Sequence, residues 1–416
     1  MDMRQAAAQG RPRWPGRAAS LLSTLALLLA SQGCVGPVAV DTEDTAPPFS
    51  FRSLDLQQRT NEGLPAWTLK SPEARYNIRS SVARALRPEG VIFARGKPLY
   101  RLEAATGTVV NDGAVILLEG SIRLQRLGNN PLVVVADRAV WIPSDSLMRF
   151  EPLPQVRDPR NWISSQTAIL HLDRDLLELR GKPRLERWSQ PIPLSGTPNP
   201  KLLEIVGTVA ALDWHPDKGT LLGQGPVTIR RRPPRSTPKA PLQVLTASRL
   251  EGNTLRQRYT LHGPVRIDDP GQASWFRGGA LTVDAKEQWL TSTAAFQAQK
   301  GSLQLGGEAL RLDGKQTIAS IERNCQLQQH GDGLQSNRCQ WNWTTQAVEA
   351  EGDVRFRRQA NRQLTRAQRI EGQLGSAGGI TASTPGGRVI TQIQVPRQSP
   401  SPPRPRLPAK PEPIVF

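Results

Sequence analysis

Apolar and polar residues alternate along most of the chain. In the stretch from Val348 to Phe356, Val348, Ala350, Gly352, Val354 and Phe356 share one phase, and Glu349, Glu351, Asp353 and Arg355 share the other. Period two with one wet face marks a half-buried β-strand. The same pattern surrounds Gly120 (Ile116, Leu118, Ile122, Leu124) and Gly181 (Leu177, Leu179, Pro183, Leu185). It recurs around Gly225 (Leu221, Gly223, Val227, Ile229) and Gly263 (Tyr259, Leu261, Val265, Ile267). In all five places the glycine falls on the apolar phase. A glycine inside a strand weakens it and marks a bend or a close approach of backbones. We therefore expect a sheet that curls over itself, with Gly120, Gly181, Gly225, Gly263 and Gly352 on its inner face. The spacings between them are 61, 44, 38 and 89 residues. That irregularity predicts a meander with loops of variable length rather than a strict solenoid.

Segments such as "PLVVVADRAVWI", "LQVLTASRLEG" and "RQLTRAQRIEG" fill the gaps in the same style. From about Phe51 to Val395 the chain reads as all-β, with no amphipathic helix beyond the N-terminal segment. The composition agrees: 35 Gly and 36 Pro interrupt helices and suit short strands joined by turns. The Pro-rich stretches "RRRPPRSTPKAP" (230–241) and 396–416 read as a solvated connector and a frayed tail.

The net charge of +18 suggests an anionic partner, but its distribution argues against nucleic acid. Residues 1–17, 230–241 and 385–416 carry +3, +5 and +4 of it. No zinc-finger spacing or aromatic-rich RNA motif accompanies the charge. At the N-terminus, Arg4, Arg11, Arg13 and Arg17 precede the apolar run Ala18–Ala30, as in an export signal. "SQGCVG" follows, and Gly33 before Cys34 is similar to a lipoprotein processing site, with Cys34 as the lipid-attachment residue. An uncleaved membrane anchor and a simple cleaved signal are the alternatives. Export permits a disulfide. If Gly331-Asp332-Gly333 forms a tight hairpin loop, Cys325 and Cys339 lie directly opposite and within bonding reach. Two buried free thiols are the alternative. The four histidines (His171, His215, His262, His330) are scattered, and Asp173 and Asp175 read as a polar turn. Neither a catalytic constellation nor a metal or cofactor site emerges.

In the first half, Asn61-Glu62-Gly63 precedes a strand with Trp67 and Leu69, then one with Ala74 and Tyr76; Leu102-Glu103-Ala104 then leads to Leu118-Glu119-Gly120 and Ile122. This order of residues resembles the LptC family. The likeness covers roughly residues 51–190, and residues 200–395 look like a related module. The resemblance implies antiparallel β-jellyroll ("β-taco") modules, two in tandem. The expected organisation is a signal peptide or membrane anchor (1–33), a linker (34–50), two jellyrolls (51–195 and 196–395) and a tail (396–416). It also implies a periplasmic, membrane-attached role in lipopolysaccharide transport. The implied partners are an inner-membrane ABC transporter (LptB/LptF/LptG), an LptA-like bridge protein and the lipopolysaccharide itself. Leu69, Tyr76, Leu102, Ile116, Leu118, Ile122, Leu124, Leu261, Val265 and Ile267 are then the candidates for lining a lipid groove. A structural or carbohydrate-binding envelope protein is the second reading, with Trp141, Trp162, Trp188, Trp214, Trp275, Trp289, Trp341 and Trp343 as candidate sugar platforms.

Overall fold

Halfway along its length, the strand Val115–Arg126 changes partners. Its residues up to Glu119 pair with Thr106–Val110, and those from Arg123 onward pair with Lys97–Glu103. At the break, Gly120 and Ser121 both adopt positive φ, +74° and +47°. Glycine takes this conformation without a Cβ penalty, and the pair turns the strand sharply. The apolar phase runs through the corner unshifted: Ile116, Leu118, Ile122 and Leu124 are all fully buried. One strand thus belongs to two sheets that face each other across its own apolar side chains.

The rest of the chain repeats this device in a computed structural model that describes residues 49–232, 241–360, 362–374 and 379–394. Its 35 strands fall into two antiparallel ladders. The first begins Leu54–Arg59, Pro65–Ser71, Glu89–Ala94, Lys97–Glu103 and ends at Ile390–Gln392. The second begins Phe49–Phe51, Glu73–Asn77, Val82–Leu86, Thr106–Val110 and ends at Ile380–Ser383. After each hairpin in one ladder the chain crosses to the other. The crossings stack into a spine. The Ala105 N–H donates to the Gly120 carbonyl at 2.8 Å, the Ala210 N–H to Gln224 at 3.0 Å, and the Asn337 N–H to Gly352 at 2.8 Å. Hairpin turns form the two opposite rims. Among the described residues the only helical segments are four single 3-10 turns, and no helix is long and apolar enough to cross a membrane.

Corners at Ala105, Gly120, Asp137, Pro152, Gln166 and Gly181 follow one another at steps of 14 to 17 residues. This corrects the reading of irregular spacing. The repeat is regular, and insertions at 189–202 and 232–242 break the count. Arg230 and Arg231 belong to the strand Val227–Arg231 rather than to a loop. The ladders cross residue 196 without interruption: Arg184–Trp188 pairs with Leu203–Thr208, and Leu176–Arg180 with Ala211–His215. The described residues form one compact unit, whose interior holds two apolar clusters that both touch Val209. The segment 1–33, Cys34, nearly all of the linker and the tail 396–416 lie outside the described residues.

Cys325 and Cys339 are joined by a disulfide, with Cα atoms 5.9 Å apart. The register differs from the sequence expectation. The turn is His330-Gly331, with Gln329 opposite Asp332, so Cys325 faces Ser336. Cys339 sits instead on the next strand, opposite Ile321. The long strand Ile318–Gln329 bends at Asn324, where φ is +52°, and the disulfide ties the half beyond that corner to Arg338–Asn342, the strand paired with the half before it.

Candidate functional site

The two ladders enclose an apolar trough whose lining changes along its length. From Leu69 to Leu179 the inward side chains are sealed: Leu69, Ile116, Leu118, Ile122, Leu124 and Leu179 are each 0% exposed, and Leu102 is 1% exposed. From about Leu203 to Leu290 the row nearest the spine stays buried, with Val227, Leu261, Val265 and Leu281 at 3% exposure or less, and Trp214 and Phe276 are buried on the rows beyond it. The rows nearer the mouth, including Leu221, Ile229, Leu245, Tyr259, Ile267 and Val283, are partly exposed. Beyond Leu303 the lining is buried again through Phe356 and Ile370.

Glycines line part of the open stretch. Gly207 faces Leu185 and Ile229 in the first ladder, while Gly223 and Gly252 sit on inward rows of the second. Gly207 leaves ordinary contact distances to Leu185 and Ile229, whereas the Tyr259 ring lies over Gly252, 2.5 Å from where a Cβ would sit. The five glycines singled out from the sequence do something else. Gly120, Gly181, Gly225 and Gly352 have φ between +74° and +81° and sit on the spine. A Cβ added to Gly225 would lie 2.5 Å from the Ala210 Cβ, and one on Gly263 would lie 3.0 Å from the Gly279 backbone. Leu261 and Val265 lie on the buried spine row, Ile267 on the accessible row, and Tyr76 is partly exposed in the second ladder.

In the sealed segment a polar cluster bridges the mouth. Tyr100 and Arg126 pair across the first ladder, and Asp175 lies in the turn after Thr167–His171 of the second. The Tyr100 hydroxyl donates to Asp175 Oδ1, and Arg126 Nε donates to Asp175 Oδ2 at 3.0 Å. The Arg126 and Asp175 side chains are 11% and 10% exposed. Burial, followed by the Asp175 charge, pushes the Tyr100 hydroxyl well above the ordinary tyrosine range. Nearby, Asn130 Nδ2 donates to the Pro216 carbonyl at 3.5 Å, also across the mouth. The Trp67 and Trp141 rings meet edge-on at 5.3 Å between the ladders. The sequence pattern missed this cluster, although Arg126 stands in phase with Ile122 and Leu124. A charge on an apolar phase was the available signal.

Other features do not resemble a site of chemistry. Among the described residues no group of three or more His, Cys, Asp or Glu is placed to hold a metal. His171 bonds Glu178 and Arg174, and His262 lies 3.5 Å from Glu251, both within the second ladder. A cleft of about 800 Å³ by the spine is lined by polar residues such as Arg277, Gln297, Glu308 and Gln326, so it is not the trough. None of the described tryptophans is fully exposed. Trp141, Trp188, Trp214 and Trp341 are buried, and Trp162 is covered by the Arg157 guanidinium at 3.9 Å.

Residues 18–182 match the family described as lipopolysaccharide-assembly, LptC-related. Among solved structures, the chain is similar to LptH, the LptA-homologous periplasmic component of the lipopolysaccharide transport device from Pseudomonas aeruginosa. The identity is 11%, the match covers 28% of this chain and 82% of that one, and the TM-score is 0.24. No curated protein matches the chain.

Proposed function

With an LptC-related region at residues 18–182 as the premise, we propose that this chain is a periplasmic component of a lipopolysaccharide transport bridge. It receives lipopolysaccharide from an inner-membrane ABC transporter and passes it along its trough to an LptA-like bridge protein. Residues 51–195 and 196–395 act as successive halves of that trough. The chain is held at the inner membrane through a lipid on Cys34 or through its N-terminal segment.

The observation that carries this reading is the partly exposed apolar lining between two ladders, at Leu221, Leu245, Ile267 and Val283. A contiguous run of accessible apolar side chains, unlike singly exposed ones, marks a binding groove. Each methylene withdrawn from water is worth about 0.8 kcal/mol, so a trough covering even part of an acyl chain retains it firmly. The sugar portion stays in water at the mouth. Among the described residues, Phe49–Phe51 and Ile390–Gln392 are ladder edges whose outer backbone groups can pair with neighbouring sheets.

The test is direct binding of lipopolysaccharide to the purified chain. Saturable binding displaced by excess lipopolysaccharide, and not by its delipidated oligosaccharide, is expected. Competition by the oligosaccharide alone favours the carbohydrate-binding reading. Fatty-acid labelling that disappears in Cys34→Ala supports the lipid anchor, whereas equal labelling removes it.

A further inference from the structure

Resting on the transport reading, we infer that the acyl chains of a phosphorylated glycolipid are held specifically in the segment 203–290, while Asp175 latches the preceding segment shut. Two features lie in the open segment and a third on the strand that precedes it. Its mouth-side rows are apolar and accessible, at Leu221, Leu245, Tyr259, Ile267 and Val283. On its upstream border the Trp214 indole N–H, on the inward row beside Leu221, has no acceptor among the described residues, a state it shares with Trp141. Buried donors are nearly always satisfied, and the ester or amide carbonyl of an acylated sugar supplies such an acceptor. On the rim, Arg187 has the amide oxygen of Asn161 at 3.3 Å as its described hydrogen-bond partner. A guanidinium without a carboxylate matches a phosphate in shape and charge.

The sealed segment also holds an unpartnered indole N–H, that of Trp141, but it has no comparable accessible rows. Its lining is fully buried, and Asp175 ties the two ladders together through Tyr100 and Arg126, partners 75 and 49 residues away in sequence. Lipid can enter there only if the ladders separate. A cargo arriving from the N-terminal end must therefore open the latch before it reaches the accessible rows.

Lipopolysaccharide carrying a diazirine on an acyl chain leaves the protein unaltered and reports contacts directly. It is irradiated with the full chain, and the crosslinked peptides are mapped by mass spectrometry. Crosslinks within 203–290 are expected to exceed those within 67–179 by roughly tenfold, the ratio set by about 1.4 kcal/mol. Asp175→Asn raises crosslinking within 67–179 and leaves 203–290 unchanged. Tyr100→Phe, which removes a single hydrogen bond, does the same to a smaller degree and covers the case in which Asp175→Asn does not fold. Equal labelling of both segments in the wild type overturns the location of the site. Folded latch variants with unchanged labelling overturn the latch. Equal capture of a diazirine phosphatidylethanolamine from vesicles overturns the glycolipid assignment. Binding without crosslinks at any inward residue overturns the trough as the site, whereas absence of binding overturns the transport reading itself.

Discussion

At the scale of single residues, Asp175 carries more than its place in a turn suggests. Replacing it with Asn leaves the buried Arg126 guanidinium without a counter-charge, and losing one partner of a buried pair costs about 3–5 kcal/mol. Urea unfolding of Asp175→Asn is expected to show that loss; a change below about 1 kcal/mol, the range of an exposed pair, would mean that the pair is solvated. Tyr100 adds a pH dependence. Its folded-state pKa lies above the unfolded value, so its contribution is intact below about pH 10 and lost as pH rises beyond that. The stability gap between wild type and Tyr100→Phe should therefore narrow above about pH 10, and a constant gap across that range contradicts the burial of the hydroxyl. Gly120 is constrained by backbone alone. With φ at +74° and Ala105 at 3.0 Å from an added Cβ, Gly120→Val is expected to cost about 1–3 kcal/mol in the same assay.

At the scale of elements, the corner is the unit that builds the fold. Period-two alternation identified the strands, because one face of each is wet and the other dry. Glycines on the dry phase marked the bends, because side chains with a Cβ rarely adopt positive φ. What the pattern did not reveal was partner exchange. The strand Ile318–Gln329 pairs with Arg338–Asn342 through Ile321 and with Asp332–Ser336 from Cys325 onward. A hairpin drawn on a straight strand therefore placed Cys325 and Cys339 opposite each other for the wrong reason. The two cysteines meet because the strand turns at Asn324. Their bond spans 14 residues, and closing a loop of that size contributes about 3 kcal/mol. The Cys325→Ser, Cys339→Ser double variant should be less stable to urea by about 3 kcal/mol, and reductant should shift the wild type but not the variant. Equal sensitivity of both to reductant would contradict a bonded pair.

At the scale of the whole molecule, two ladders joined along one spine produce a single trough with sealed and accessible stretches. The apolar face was legible in the sequence, because Leu102, Leu118 and Leu261 stand on unbroken apolar phases. Which part of that face remains open was not. Accessibility depends on packing across the ladders, where Gly207 removes a side chain and Trp67 and Trp141 supply bulk. The latch was equally hidden, since Tyr100, Arg126 and Asp175 meet only after the chain has crossed between ladders several times. The family likeness at residues 18–182 falls almost wholly on the sealed half and the segment before it. The accessible stretch lies beyond it, in the part that lengthens this chain.

The central claim is that lipid contacts the inner phase of the open strands. It is tested most directly by placing benzoylphenylalanine at each successive position of Gln243–Ala247 and irradiating the full chain with lipopolysaccharide. Crosslinking is expected at Gln243 and Leu245 and absent at Val244 and Thr246, reproducing the two-residue period of the strand. Equal crosslinking at all positions, or crosslinking confined to Val244 and Thr246, would contradict a lipid-bearing trough.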